Sequence, residues 1–280
     1  MRWLLLRGKA AYRVRPDMLD EDRVRSYLGP TFTAVPLYFY DRLRSTNDTA
    51  ARLFQQQIDE VFLAVMAEKQ EAGRGRQGRT WISPAHASLL LSIAFRYPSY
   101  ATIKLEQWPL LAALCVQRVL DYDMGLNVTI KWPNDIRIAG KKVAGILTER
   151  RDAHTQSLIL GIGMNVTTKQ DEFALELRDK AGSLAMFTAN PIDRNHLAAT
   201  LLREIHQMYL ATLQGLTFHD VHHEFISHCD TVGQRVRLSQ GSVLFDGLVK
   251  TIDDEGTLHF VTGDGRSLTF ISGEIIEVLS

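Results

Sequence analysis

Glu71-Ala72-Gly73-Arg74-Gly75-Arg76-Gln77-Gly78-Arg79-Thr80-Trp81 is the stretch on which the reading of this chain turns. It carries three glycines, three arginines and one tryptophan. Glycine lets the backbone approach a ligand closely and take φ > 0. Arginine offers a planar fork of donors that matches carboxylate or phosphate. Such a loop suits an anion that has to be wrapped. Gly73, Gly75 and Gly78 also spell G-x-G-x-x-G, the dinucleotide fingerprint, which needs a strand before it and a helix opening within it. Val61–Lys69 reads as the strand. The helix fails, because Arg79–Ala87 contains Pro84 and has no 3.6-residue apolar period. No Gly-Lys-Ser/Thr follows, so the stretch is not a P-loop. Taken alone it is either an anion-wrapping loop or a solvated Arg/Gly segment.

The chain of 280 residues is 45% hydrophobic and 23% charged, with a formal net charge of zero. That is enough chain for one large core and a small satellite domain. Zero net charge argues against a general nucleic-acid or anionic-membrane coat, so anion binding must be local. Two cysteines without paired spacing, Cys115 and Cys229, argue against a disulfide framework or a zinc ribbon and fit a reducing cytoplasm. Met1–Arg7 has too short an apolar run for a signal peptide, and no run approaches the ~18 residues of a membrane span.

In order, the pattern predicts a short helix over Asp20–Leu28 ended by Gly29-Pro30, then a strand over Val35–Phe39. Arg44-Ser45-Thr46-Asn47-Asp48 is rich in N-cap residues and opens a helix over Thr49–Gln57. These polar side chains either cap the helix or face a polar ligand at its positive end. Strands follow at Ser88–Phe95, Val128–Trp132, Asp135–Ile138, Val143–Glu149 and Ser157–Gly163, with a hairpin across Ala139-Gly140. Ile103–Tyr122 reads as a long amphipathic helix and Leu197–Leu213 as a second. From Val232 to Ser280, short alternating runs broken by glycine turns predict a small β-barrel.

Three further segments carry chemistry. Lys131-Trp132-Pro133-Asn134-Asp135 places a proline where a sheet must end or bend. It reads either as a plain turn or as a bend that aims Asp135 at a substrate amine. Gly140-Lys141-Lys142-Val143-Ala144-Gly145-Ile146-Leu147 brings two lysines to a strand start, one of which can neutralise a carboxylate and a phosphate together. Gly161-Ile162-Gly163-Met164-Asn165 ends a strand with two glycines, which permits close approach of a planar ligand, while Asn165 supplies both a donor and an acceptor. His219, His222, His223, His228 and Cys229 form a cluster without a CxxC or HExxH frame, which favours a solvated helix face over a metal site.

In this order the four motifs, followed by a small barrel, resemble the biotin–protein ligases over roughly residues 35–280. The resemblance implies an α+β fold: a mixed-sheet catalytic domain of the class II aminoacyl-tRNA synthetase/biotin ligase type with flanking helices, plus a C-terminal SH3-like β-barrel. It divides the chain into an extension at 1–34, a biotin/ATP domain at 35–230 and the barrel at 231–280. Implied for biotin are Ser45, Thr46, Asn47, Gln70, Arg74, Gly75, Arg76, Lys142, Gly161 and Gly163. Implied for the nucleotide are Arg76, Arg79, Trp81, Lys131, Asn134 and Asn165, with Trp81 near adenine. Lys142, Arg74, Arg76 and Asp135 carry catalysis, Lys142 between the biotin carboxylate and the α-phosphate and Asp135 beside the incoming lysine. The implied substrates are biotin and ATP with Mg²⁺, with no tightly bound cofactor and no protein-held metal. The implied partner is the biotin carboxyl carrier protein of acetyl-CoA carboxylase, with a homodimer as a further option and a cytoplasmic location.

Two departures stand out. Glu71 adds a negative charge beside the loop and is expected to face solvent. Bifunctional members carry an N-terminal winged helix-turn-helix domain, whereas here only residues 1–34 precede the shared core. Leu5–Val14 resembles the end of the wing and Asp20–Leu28 the linker helix. No recognition helix is found, so no specific DNA binding is expected of this chain.

Overall fold

A computed structural model describes residues 18–97, 103–150 and 157–279. The wing-like segment Leu5–Val14 lies outside these residues. Helix α1 (Glu21–Leu28) is capped by Asp20, which accepts from Arg23 N, and it ends at Gly29. Strand β1 (Leu37–Leu43), helix α2 (Thr46–Gln56) and strand β2 (Phe62–Gln70) follow. After the Gly/Arg loop come β3 (Ser88–Arg96), helix α3 (Trp108–Arg118), β4 (Val128–Lys131), β5 (Asp135–Ile138), β6 (Lys141–Glu149) and β7 (Ser157–Asn165). Two helices, α4 (Arg194–Leu213) and α5 (Phe218–His228), lead to five short strands: β8 (Arg235–Gln240), β9 (Val243–Ile252), β10 (Leu258–Thr262), β11 (Ser267–Phe270) and β12 (Glu274–Val278).

The first seven strands form one sheet in the order β1-β2-β3-β7-β6-β5-β4. Only β1 and β2 run parallel; the other neighbours are antiparallel, so the sheet is mixed. The β5–β6 hairpin turns at Ala139 (φ 48) and Gly140 (φ 77), the pair of left-handed residues that a two-residue turn matched to strand twist needs. The last five strands form an antiparallel sheet in the order β11-β10-β9-β8-β12.

Strand period two sorts the large sheet into two faces. Leu89, Leu91, Ile93, Leu158, Leu160 and Ile162 point to the main core with α1, α3 and α4. Leu63, Val65, Ala94 and Ile159 point the other way and pack under Ala50, Ala51 and Phe54 of α2. On that second face β3, β7, β6, β5 and β4 align Ser92 with Gly161, Gly163 with Gly145, Gly145 with Asp135 and Asp135 with Lys131. Gly145, Gly161, Gly163, Asp135 and Lys131 therefore share the face that α2 only partly covers.

Two expectations change. The segment read as an amphipathic helix over Ile103–Tyr122 is a 3₁₀ turn, α3 and a π turn over Val119–Asp123. Leu110 to Gln117 are all buried, because α3 is wedged between the sheet, α4 and α5, so no polar stripe is left. The histidine face of α5 is solvated at His219 and His223, which are exposed, and half-buried at His222 and His228. His219 Nδ1 lies 3.0 Å from Asp254 Oδ2, and His222 Nε2 donates to Ile252 O at 2.7 Å, so both hold the barrel. Among the described residues no cluster of three or more His, Cys, Asp or Glu is placed to hold a metal. The barrel's inner residues Val236, Leu238, Phe260 and Ile275 belong to the same continuous apolar core as the large sheet, so it docks rather than hangs from a linker. Among the described residues no helix is long and apolar enough to cross a membrane.

One buried ion pair ties this architecture together. Arg194, at the first turn of α4, donates to Glu68 of β2 at 2.8 and 3.1 Å and to Ser88 O at 2.9 Å. Both side chains are 3% exposed. Glu68 also accepts from Leu19 N at 2.5 Å, which anchors the chain leading into α1. Removing Arg194 takes from the buried Glu68 carboxylate its permanent counter-charge and leaves it with Leu19 N and the His86 ring, 3.1 Å away. Arg194→Ala is therefore expected to destabilise the protein by about 3–5 kcal/mol in urea unfolding.

Candidate active site

The site is built where the N-terminus of α2 meets the bare centre of the sheet. Ser45 caps α2, its Oγ accepting from Asp48 N at 3.4 Å. Thr46 donates from both N and Oγ1 to Gln70 Oε1, at 2.7 and 3.0 Å. Ser92 Oγ lies 2.7 Å from Thr46 Oγ1 and 2.5 Å from Asn47 Oδ1, and its single proton serves one of them at a time. Asn47 Nδ2 donates to Glu149 Oε2 at 2.7 Å. Ser45, Thr46 and Asn47 are 2%, 3% and 5% exposed, far more buried than cap residues need to be. Asn47 lies directly against Gly161, where a Cβ would collide with its amide. The result is a buried, neutral cluster holding both donors and acceptors, suited to a compact polar ring.

The Gly/Arg loop folds over the next part of the floor as a small hairpin. Trp81 N donates to Gly73 O at 2.9 Å and Gly75 N to Arg79 O at 2.7 Å. The Trp81 indole lies flat on the glycine pair: a Cβ on Gly163 would sit 2.6 Å from its Cε2, and one on Gly145 would sit 3.3 Å from its Cζ3. Its Nε1 is buried and has no hydrogen-bond partner. Arg79 forms an ion pair with Glu274 on β12, so the loop is latched to the barrel. Glu71 sits at the rim, half-exposed, 3.4 Å from Arg42, as expected for a solvent-facing residue.

The cations fall into two groups. Arg74 and Lys142 are paired. Arg74 makes a bidentate contact to Asp48 at 2.7 and 2.8 Å and reaches Glu149 at 3.1 Å. These carboxylates, Asp48 above all, hold its pKa well above the ordinary arginine value. Lys142 Nζ lies 2.6 Å from Asp135 Oδ1 and 5.7 Å from the Trp81 ring centre, a cation–π distance. Arg76 and Lys131 are not paired. Arg76 donates to Asn134 Oδ1 at 3.0 Å and, among the described residues, meets no carboxylate; burial lowers its pKa. Among the described residues the Lys131 ammonium makes no hydrogen bond or ion pair. Burial, then the Arg137 charge, push its pKa down to about 8. Half-buried cations that no carboxylate touches carry a desolvation cost that a bound anion would offset.

Asn134 is held by donating from Nδ2 to Ile146 O at 2.7 Å. Asn165, 5% exposed, donates to Gly182 O at 3.1 Å, and Gly182 N donates to Lys142 O at 3.0 Å. Lys141, the other lysine of its motif, turns away to Arg178 O at 2.8 Å. The structure thus brings Ser45, Thr46, Asn47, Gln70, Gly161 and Arg74 to one end of the floor. It brings Arg76, Trp81, Gly163, Lys142, Asp135 and Asn134 to the middle and Lys131 to the far end. Gly75 lies in the hairpin above, Arg79 at its barrel side and Asn165 at the buried edge. Sequence reasoning missed Ser92, Asp48 and Glu149. A lone serine within Leu89-Leu90-Leu91-Ser92-Ile93 is a usable signal; Glu149 becomes visible only through its neighbours in space.

This geometry has counterparts. Residues 39–165 match the model of the biotin/lipoate A/B protein ligase family. The bifunctional ligase/repressor BirA of Bacillus subtilis is 34% identical over 262 residues, covering 92% of this chain and 79% of that protein. The biotin–[acetyl-CoA-carboxylase] ligase of Mycobacterium tuberculosis is 32% identical over 276 residues, covering 95% and 98%. Among solved structures, the biotin protein ligase of Aquifex aeolicus in complex with biotin and ATP superposes with a TM-score of 0.71 at 28% identity, covering 85% of this chain and 97% of that one. Identity of this extent along nearly whole chains, on the same fold, makes this protein a member of the biotin–protein ligase family.

Proposed function

We propose that this protein activates biotin with ATP as biotinyl-5'-AMP and then transfers the biotinyl group to a lysine of a biotin carboxyl carrier protein. The observation that carries this reading is the order of groups along one sheet face. A neutral donor–acceptor cluster lies at one end, the glycine floor under the Trp81 indole in the middle, and two cations that no carboxylate contacts, Arg76 and Lys131, run from the middle to the far end. That sequence fits the ureido ring, the carboxylate and the phosphates of the two substrates laid end to end. The named relatives and the biotin- and ATP-bound neighbour support the same chemistry.

In the first step a biotin carboxylate oxygen attacks the α-phosphorus of ATP, and the bond to the β,γ-diphosphate breaks. Both reactants are anions and repel until positive charge is fixed between them. Lys142 is the bridging cation: released from Asp135, it reaches the carboxylate and the α-phosphate together. Arg76 and Lys131 add charge where desolvation strengthens it. Magnesium arrives with the triphosphate as part of the substrate and neutralises further charge. Ser45, Thr46, Asn47 and Gln70 hold the ureido ring, and Arg74 and Gly75 close over biotin. Trp81 and Asn165 stand by the nucleotide, and Arg79 and Asn134 hold the surroundings of Trp81 and Arg76. A closed hairpin excludes water from the hydrolysable adenylate.

In the second step the acceptor lysine attacks the acyl carbon and AMP leaves. A free lysine has a pKa near 10.4 and arrives mostly protonated. Once Lys142 has turned to the adenylate, Asp135 is free to hold the incoming ammonium, which loses one proton to solvent to give the attacking amine and a second as the amide forms and AMP departs. The pair at 2.6 Å is therefore an exchange point that serves the two steps in succession.

With ATP, Mg²⁺, biotin and an apo carrier domain, the protein is expected to release pyrophosphate in a biotin-dependent manner and to label the carrier. Lipoate in place of biotin should give neither, and absence of biotin-dependent pyrophosphate would defeat the reading. Lys142→Ala should lower the first step by at least about 10²-fold, the usual cost of losing a group aimed at transition-state charge. Asp135→Ala should keep adenylate formation within about tenfold and lose carrier transfer by about 10²-fold or more. Equal loss of both steps would remove Asp135 from its assigned role.

A pH dependence follows from Lys131. Its charge is present below about pH 8 and lost above it, so kcat/KM for MgATP should fall as pH rises through that value. Arg137, Asp135, Lys142 and Asp230 are the charges around it. Lys131→Met should be weaker at neutral pH and lack that limb, and an unchanged limb in the variant would place the titrating group elsewhere.

A further inference from the structure

Beyond the glycine floor the same sheet face continues onto β4 and β5 as Lys131 and Arg137, and the barrel roofs it. Between them lies a half-open pocket of ≈ 230 Å³ lined by Lys131, Arg137, Asp230, Thr231, Gln234 and Ile275, among others. Two cations face one carboxylate there. Asp230 already accepts from Thr129 Oγ1 at 2.9 Å, and it stands 3.6 Å from Arg137 Nη1, too far for a hydrogen bond. Among the described residues the Arg137 guanidinium makes no hydrogen bond, although its side chain is only 22% exposed. The Arg137 guanidinium and the Lys131 ammonium therefore line one pocket with a single carboxylate, Asp230, which is within ion-pair but not hydrogen-bond range of Arg137.

An arrangement of this kind is built for a small, multiply charged anion with several acceptor oxygens. The volume is below the several hundred Å³ of sites that enclose a whole nucleoside. The position narrows the choice further. Lys131 is the cross-strand partner of Asp135, and Asp135 holds Lys142. The cavity thus begins one strand beyond the cation that bridges carboxylate and α-phosphate, on the side away from the buried cluster at Asn47.

We propose that the Lys131–Arg137 cavity receives the β,γ-diphosphate of ATP and holds it as pyrophosphate when it leaves. This rests on the ligase reading above. As the carboxylate oxygen bonds to the α-phosphorus, the bond from that phosphorus to the bridging oxygen breaks, and its electron pair stays on the diphosphate. The charge appearing there is met by Arg137 and Lys131, so Arg137 favours both the departure of pyrophosphate and its reattack on the adenylate. Arg137 belongs to none of the motifs that define the site in the sequence.

Biotin-dependent exchange of labelled pyrophosphate into ATP reads this directly. Loss of a charge-assisted contact of this kind corresponds to about a tenfold or larger change in affinity. Arg137→Leu is expected to raise the KM for pyrophosphate by at least that factor, and Arg137→Lys by less. Biotin affinity without ATP, and transfer from synthetic biotinyl-AMP to the carrier, should stay at wild-type values. Gln234→Glu, which adds a carboxylate to the cavity without touching Arg137, should act in the same direction and covers the case in which Arg137→Leu fails to fold. A pyrophosphate KM within twofold of wild type in folded variants overturns the proposal. So does a defect confined to transfer from synthetic biotinyl-AMP, which would assign the cavity to the carrier. If the wild-type protein exchanges no label at all, it is the ligase reading that fails.

Discussion

The structure depends on a patch of sheet without side chains. Gly145 and Gly163 face each other across β6 and β7, and the Trp81 indole rests on them at a distance that leaves no room for a Cβ on Gly163. Because the indole lies flat, the hairpin that carries it comes down close to the sheet. Arg74 can then reach Asp48 and Glu149, and Arg76 can reach Asn134. A side chain on that floor would lift the hairpin and separate these cations from the groups that position them. The glycines therefore set how close the indole, and with it the cations of the hairpin, comes to the sheet.

Charge in the site is arranged in two ways that do different work. Arg74 and Lys142 are kept in place by carboxylates, which positions them at little desolvation cost and leaves them able to exchange partners. Arg76 and Lys131 are half-buried with no carboxylate in contact, which raises their free energy in the protein alone. An anion placed at these groups would recover that cost, so the fold carries a preference for negative charge there before any ligand arrives. The barrel takes part through Glu274, which latches Arg79, and through the wall it gives the Lys131 cavity. Its apolar interior is continuous with the main core, so it acts as a rigid wall of the site.

Much of this was legible in the chain because the critical groups come as short motifs on single strands. Glycines at i and i+2 in Gly161-Ile162-Gly163, or a lysine four residues before a proline-bounded aspartate, keep their meaning without knowledge of the fold. What could not be read depends on register between strands distant in sequence. Ser92 matters because it pairs with Gly161, Glu149 because Arg74 and Asn47 converge on it, and Arg137 because the barrel covers it. The segment around α3 was misread for a related reason. Periodicity shows an apolar stripe, but it does not show that neighbours cover the remaining sides. The histidines of α5 carried no motif, and their contacts with Asp254 and Ile252 are made by a domain that the helix precedes in the chain.

The central claim is that the closed hairpin over the glycine floor makes and retains a mixed anhydride of biotin and AMP. The direct measurement is native mass spectrometry of the protein after incubation with ATP, Mg²⁺ and biotin but no carrier, followed by rapid desalting. The account predicts a non-covalent complex heavier by the mass of biotinyl-5'-AMP, which disappears when a carrier domain is added. Protein carrying only biotin or AMP, or a covalent adduct that persists under denaturing conditions and reacts with the carrier, would contradict it.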